Sequence, residues 1–151
     1  LKGRGAFRRF QDALNRHGWD GDWYLQATTD DGLLLGSERN DEGKIFLMPN
    51  NWAVISGIAP QDRAKAAMDA VTKYLLKDYG TLLNYPAFTK PRPDVGYVTR
   101  YAPGLRENGG VYTHAATWSV WAYALAGQPE RAYEAYRKIC PPNRSHDIDT
   151  Y

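Results

Sequence analysis

From Leu82 to Gly110 the chain cannot settle into one long helix or strand. Pro86, Pro91, Pro93 and Pro103 each remove a backbone N–H and hold φ fixed, while Gly96, Gly104, Gly109 and Gly110 free the backbone again. A loop of this length inside a compact domain is either functional or disordered. Tyr85, Phe88, Tyr97 and Tyr101 argue for order, because aromatic side chains bring large apolar bodies to a fold. Helical spacing lies on both sides of the stretch. The expected fold class is therefore mainly α: helix pairs alternating with short β-hairpins and long, aromatic-rich loops. That pattern fits a fragment of a toroid of helix hairpins, with function carried on the loops at one end.

The helical segments are read from their apolar period. Phe7, Phe10 and Leu14 place a helix over 6–16, stopped by Gly18. Ala67, Val71, Tyr74 and Leu75 place the clearest one over 61–78, with Gly80 as its stop. Two more follow at 114–126 and 130–139, joined by Gly127-Gln128-Pro129 and ended by Pro141-Pro142. Trp23 to Ala27 and Leu33-Leu34-Leu35 read as short strands around the turn Thr29-Asp30-Asp31-Gly32. Ile45 to Met48 is a third apolar run, after which Asn50 or Asn51 is expected to cap a helix through Trp52, Ile55 and Ile58.

Composition narrows the function classes. The 151 residues suit one domain, and 43% hydrophobic with 24% charged residues is ordinary for a globular protein. A formal net charge of +2 is too small to argue for nucleic acid or an anionic membrane surface. No apolar run approaches the roughly 20 residues of a membrane span. The lone Cys140 excludes an internal disulfide framework and a multi-cysteine zinc site. With no signal peptide in view, a reducing, cytoplasmic setting is expected. Because it opens at Leu1 without a start methionine, the chain is expected to be a piece of a longer protein.

Four constellations bear chemistry. In Gly18-Trp19-Asp20-Gly21-Asp22-Trp23-Tyr24, carboxylates alternate with indoles, which suits a carbohydrate site as well as a turn with core anchors. Arg106-Glu107-Asn108-Gly109-Gly110-Val111-Tyr112-Thr113-His114 brings a base, an acid, an amide, a phenol and an imidazole to a helix start, a favourable place for an anion; a capped helix with a buried His114 is the bland alternative. Trp118 and Trp121, three apart on one helix, are expected in the core. His146 with Asp147 and Asp149 is weak evidence for a metal, and none is expected. His17 reads as a helix C-terminal histidine. Walker, dinucleotide-glycine, Gly-x-Ser-x-Gly and His-Glu-x-x-His motifs are absent.

Three stretches in order carry a resemblance: Gly18–Tyr24 through Asp31-Gly32 to Gly36-Ser37, then Trp52-Ala53-Val54-Ile55-Ser56-Gly57, then Pro103-Gly104-Leu105-Arg106 through His114. Together they resemble the catalytic domain of glycoside hydrolase family 94. That family contains cellobiose phosphorylase, chitobiose phosphorylase and the phosphorylase-like region of cyclic β-1,2-glucan synthases. The resemblance implies that residues 1–151 are part of an (α/α)6 catalytic domain. The family's N-terminal β-sandwich, donor-sugar site and downstream phosphate loop would lie outside it. Its general acid is an Asp in an Asp-Trp-Asn-Asp motif, which is absent here, so that acid is expected upstream. The resemblance assigns phosphate binding to His114 and the acceptor sugar to Arg106 and Tyr101, with Glu107 and Tyr112 in the same motif.

The implied activity is inverting phosphorolysis of a β-glucosyl disaccharide such as cellobiose, giving an α-sugar 1-phosphate and a free sugar. Inorganic phosphate is the co-substrate and no other cofactor is implied. Inverting hydrolysis needs both an acid and a base. Phosphate is already an anionic nucleophile, so one acid suffices if cationic or N–H donors hold the anion. The residues leave two rivals: an inverting hydrolase with Asp20 as acid and Glu107 as base, and a non-catalytic carbohydrate-binding domain. A disaccharide or oligosaccharide and phosphate are the expected partners, with no nucleic acid or membrane. The parent protein is expected to be a homodimer, and the stretch alone inactive.

Overall fold

A computed structural model describes residues 2–143. His146, Asp147 and Asp149 lie outside the described residues. Five helices carry the fold: α1 (Lys2–His17), α2 (Leu47–Ile55), α3 (Gln61–Tyr74), α4 (Thr113–Leu125) and α5 (Pro129–Ile139). Six two-residue strands, β1 (Ala27–Thr28), β2 (Leu34–Leu35), β3 (Ile45–Phe46), β4 (Leu76–Lys77), β5 (Gly80–Thr81) and β6 (Asn84–Tyr85), form three antiparallel pairs, β1 with β2, β3 with β6 and β4 with β5. The chain is mainly α with short antiparallel strands. Among the described residues no helix is long and apolar enough to cross a membrane.

The core lies where α2 and α5 pack against α4 and α3 packs against α2. From α3 it takes Ala64, Ala67, Met68 and Val71, the stripe expected of its period, with Leu75 just past the helix end. Ile45, Leu47, Trp23 and Tyr123 fill the rest. Tyr123 is buried with its hydroxyl 2.9 Å from that of Thr72, and burial pushes its pKa well above the usual phenol range.

Two segments differ from expectation. The helix read over 61–78 ends at Tyr74, because Leu76 and Lys77 turn back to pair with Thr81 and Gly80. The apolar period runs on through this hairpin, so periodicity alone overshoots. Asn50 and Asn51 cap nothing: α2 begins at Leu47 behind an extended Phe46, and both asparagines are buried inside it. Pro49 sits in the first turn, where the missing N–H has no intrahelical partner to lose. Asn50 accepts the Tyr24 N–H through Oδ1 at 2.9 Å and donates to the Phe46 carbonyl at 2.8 Å. Lesser shifts are that α1 extends back to Lys2 and that the first strand covers Ala27–Thr28, after Trp23.

One layer of backbone positions the loop that leads into α4. β3 runs directly into α2, and β6 pairs with it, Ile45 to Tyr85 and Phe46 to Asn84. Just before β6, Leu83 donates its N–H to Gly110 at 2.9 Å, and Leu82 bridges Val111. The segment 82–85 thus joins the entry of α2 to the entry of α4, bringing both helix N-termini to one end of the bundle.

Candidate functional site

The loop from Tyr101 to Tyr112 is organised around a single buried side chain. Asn108 is 0% exposed. Its Nδ2 donates to the carbonyls of Phe88 and Tyr101, both at 2.8 Å, and its Oδ1 accepts the Phe88 N–H at 2.8 Å. One carboxamide therefore pins the loop to the neighbouring 85–90 segment and satisfies three backbone groups that burial would leave unpaired. The two glycines behind it are required by space. Gly109 has φ 80°, and a Cβ there would lie 3.0 Å from the Ala87 Cβ; a Cβ on Gly110 would collide with the Arg106 carbonyl.

With the backbone so anchored, the side chains of the loop face one another. Arg106 takes a left-handed φ of 51°, rare for a side-chain-bearing residue. Its guanidinium lies 5.0 Å from the centre of the Tyr101 ring, and its Nε is 3.6 Å from Glu107. The Tyr101 phenol and the Glu107 carboxylate hold Arg106 above the usual guanidinium range. Tyr112 donates its hydroxyl to Glu107 at 3.1 Å. Tyr112 then meets the His114 ring at 5.9 Å, and Tyr97 meets Tyr101 edge to face at 5.4 Å. The five residues expected at the site, Tyr101, Arg106, Glu107, Tyr112 and His114, thus form one continuous run of contacts. A loose, exposed ion pair such as Arg106–Glu107 contributes little to stability, so it leaves both groups free to meet a polar ligand.

The run ends at the start of α4. α4 has an extended N-cap, Tyr112, whose side chain caps no N–H of the helix, and no acidic residue in its first turn. Its first N–H groups and the positive end of its dipole are therefore uncompensated. His114 stands in that first turn, exposed, and among the described residues neither ring nitrogen has a hydrogen-bond partner. The bland expectation of a buried, satisfied His114 does not hold.

Trp121 corrects the sequence reading, and Trp118 meets it in part. The fully buried face of α4 is a stripe of Ala115, Ala116, Ser119, Ala122 and Tyr123. Trp121 stands off that stripe at 53% exposed, while Trp118 is half-buried and packs against the edge of the core. Trp118 meets His114 edge to face at 5.1 Å and Trp52 of α2 at 5.2 Å. The signal was present in the small residues at 115, 116, 119 and 122, whose spacing already occupied the core face.

The Gly18–Tyr24 segment is a structural turn. Trp23 is 1% exposed and donates its indole N–H to the Gly36 carbonyl at 2.7 Å. Trp19 packs edge-on against Tyr24 at 4.9 Å with Arg63 over its ring. Asp20 accepts the Glu38 N–H at 2.9 Å. Tyr24 donates to Asn15 at 2.7 Å, and burial raises its pKa. Among the described residues no hydrogen bond, ion pair or ring contact joins this turn to the run from Tyr101 to His114. No three His, Cys, Asp or Glu side chains among the described residues gather where they could hold a metal ion.

A mainly helical domain carrying an aromatic, polar loop at its helix N-termini is the class these features define. The chain belongs to the glycosyl hydrolase 94 superfamily, whose catalytic-domain model matches residues 4–151. It is 41% identical over 142 residues to an N,N'-diacetylchitobiose phosphorylase of Vibrio furnissii, covering 93% of this chain and 18% of that protein. A solabiose phosphorylase of Paenibacillus borealis is 39% identical over 141 residues, again 93% of this chain and 18% of the relative. A cyclic beta-(1,2)-glucan synthase of Rhizobium meliloti is 40% identical over 133 residues, 87% of this chain and 5% of the synthase. The chain thus spans less than a fifth of the length of each of these three relatives.

Proposed function

We propose that the protein to which this chain belongs is an inverting disaccharide phosphorylase. The observation that carries the reading is His114, unbonded at an uncapped helix start and joined through Tyr112 and Glu107 to Arg106 and Tyr101. In this reading His114 and the first N–H groups of α4 hold inorganic phosphate. Arg106 and Tyr101 hold the acceptor sugar, the ring stacking on a sugar face and the guanidinium meeting hydroxyls. Glu107 and Tyr112 link the two halves and bind sugar hydroxyls at their border.

The reaction then follows from charge. Phosphate oxygen attacks the anomeric carbon as the glycosidic bond breaks, and an aspartic acid outside residues 1–151 gives its proton to the departing sugar oxygen. The product is an α-sugar 1-phosphate and a free sugar. Fixed N–H and cationic donors stabilise the anion beside the developing oxocarbenium ion without reorganising during the step. Residues 1–151 are the acceptor-and-phosphate portion of an (α/α)6 toroid within a longer, cytoplasmic, homodimeric protein, and the donor sugar and the acid come from elsewhere in it. The names of the relatives differ in their sugar, from diacetylchitobiose and solabiose to cellobionic acid. A β-glucosyl disaccharide of the cellobiose kind is the first substrate to test.

The test is a turnover assay on the full-length protein with cellobiose, diacetylchitobiose, solabiose and cellobionic acid, each with and without inorganic phosphate. Release of sugar 1-phosphate only when phosphate is present is the expected result. Turnover to two free sugars without phosphate would overturn the reading in favour of hydrolysis. Sugar binding without turnover under either condition would reduce the protein to a carbohydrate binder.

A further inference from the structure

We infer that Trp118, seated by Trp52, is a positioning residue for His114; the inference rests on the reading of His114 as a phosphate ligand. His114 and Trp118 stand four residues apart on one face of α4, where side chains lie one above the other. Their rings meet edge to face, 5.1 Å between centroids at 82°, and the Tyr112 ring also meets His114, tilted by 46° at 5.9 Å. The imidazole thus contacts two aromatic rings, while among the described residues its nitrogens have no hydrogen-bond partner. A side chain ordered before its ligand arrives loses less freedom on binding, and the ligand is held correspondingly more tightly.

Trp118 is itself held. Trp52 packs on it edge to face, 5.2 Å between centroids at 66°. The residues next to these two indoles lock α2 and α4 in register: buried Asn51 donates to the Ser119 hydroxyl at 3.0 Å and to the Ala115 carbonyl at 3.5 Å. The Trp52–Trp118 contact is therefore part of a fixed helix–helix junction. Core filling alone does not account for it, since Trp118 is only partly buried where it packs against the core and Trp52 is 42% exposed. The indoles instead buttress the one imidazole at the helix start.

The experiment measures kcat and KM for inorganic phosphate and for the disaccharide on full-length W118L, W118F, W52L, H114A and the double variant W118L/H114A. W118L is expected to raise the phosphate KM about tenfold while the disaccharide KM moves less than about twofold. W118F keeps a ring beside His114 and should stay within about twofold of wild type. W52L should shift the phosphate KM in the direction of W118L by a smaller factor, and it carries the comparison if W118L does not fold. On the H114A background W118L should add nothing. Equal loss for both substrates, or the same W118L effect with and without His114, would overturn the positioning role. If H114A itself leaves the phosphate KM unchanged, the phosphate reading fails first.

Discussion

The Gly18–Tyr24 turn and the Arg106–His114 loop are built from similar materials. Each combines glycines, carboxylates and aromatic rings within a few residues. They differ in where the polar atoms find partners. In the turn the side chains themselves meet the demands of the fold: the Trp23 indole satisfies Gly36, the Asp20 carboxylate satisfies Glu38, and the Tyr24 hydroxyl satisfies Asn15. In the loop one buried Asn108 meets the backbone's demands, and the remaining polar side chains touch one another at the surface. Composition alone does not distinguish a site from a scaffold. The decisive question is which side chains are left without structural work.

The largest test of that contrast is stability. Trp23→Ala removes a fully buried indole and its hydrogen bond, so unfolding free energy should fall by roughly 3–5 kcal/mol. Tyr101→Ala removes a half-buried ring that meets Tyr97 and Arg106 in the loop, and should cost no more than ~1 kcal/mol. Denaturant titration of the two variants compares them directly. If Tyr101→Ala destabilises as much as Trp23→Ala, the loop is as structural as the turn, and the distinction collapses.

Asn108→Ala comes next. It strands three backbone groups, two buried at Phe88 and one partly buried at Tyr101, at ~1–3 kcal/mol for each one that water cannot reach. Melting should therefore drop clearly, and the KM for the acceptor sugar in the synthetic direction should rise, since Tyr101 and Arg106 lose their anchor. Asn108→Asp cannot donate to the Phe88 and Tyr101 carbonyls and should not rescue. Loss of melting temperature with unchanged sugar KM would make Asn108 a fold residue only.

How far the sequence leads can be seen in these same residues. The helices α3, α4 and α5 follow from apolar period, because each buries one face against the same core. Where α3 ends does not follow, since Leu76 continues the apolar pattern yet pairs with Thr81 in a hairpin. Asn50 or Asn51 reads as a cap because residue type signals a helix start, while the buried partners that hold both inside α2 are long-range. The site motif was legible through its family resemblance. Its geometry was not: Asn108 reaches Phe88 and Trp118 reaches Trp52, contacts between distant parts of the chain that no local spacing encodes.

At the phosphate end, His114→Ala should weaken inorganic phosphate by roughly 1.5–3 kcal/mol, the range for a hydrogen bond to a charged group. The disaccharide should be little affected, and so should the melting temperature, because the imidazole makes no hydrogen bond within the described fold. Isothermal titration of phosphate and of sugar separately checks both halves. Equal loss for the two ligands would return His114 to a structural role.

The smallest expected effect belongs to Asp20, and it bears most directly on the hydrolase alternative. A general acid must be protonated near neutral pH and reach the glycosidic oxygen. The Asp20 carboxylate instead accepts the Glu38 N–H and so ties the turn to the segment that follows it. Asp20→Asn retains a carbonyl oxygen able to accept the same bond, so stability should change by less than ~1 kcal/mol. Turnover of the full-length protein should stay within a few-fold of wild type, since among the described residues no hydrogen bond, ion pair or ring contact joins the turn to the run from Tyr101 to His114. Loss of activity by orders of magnitude in a variant that still folds and binds sugar would make Asp20 the acid. The turn and the loop would then be two halves of one catalytic centre, and the contrast between them would be false.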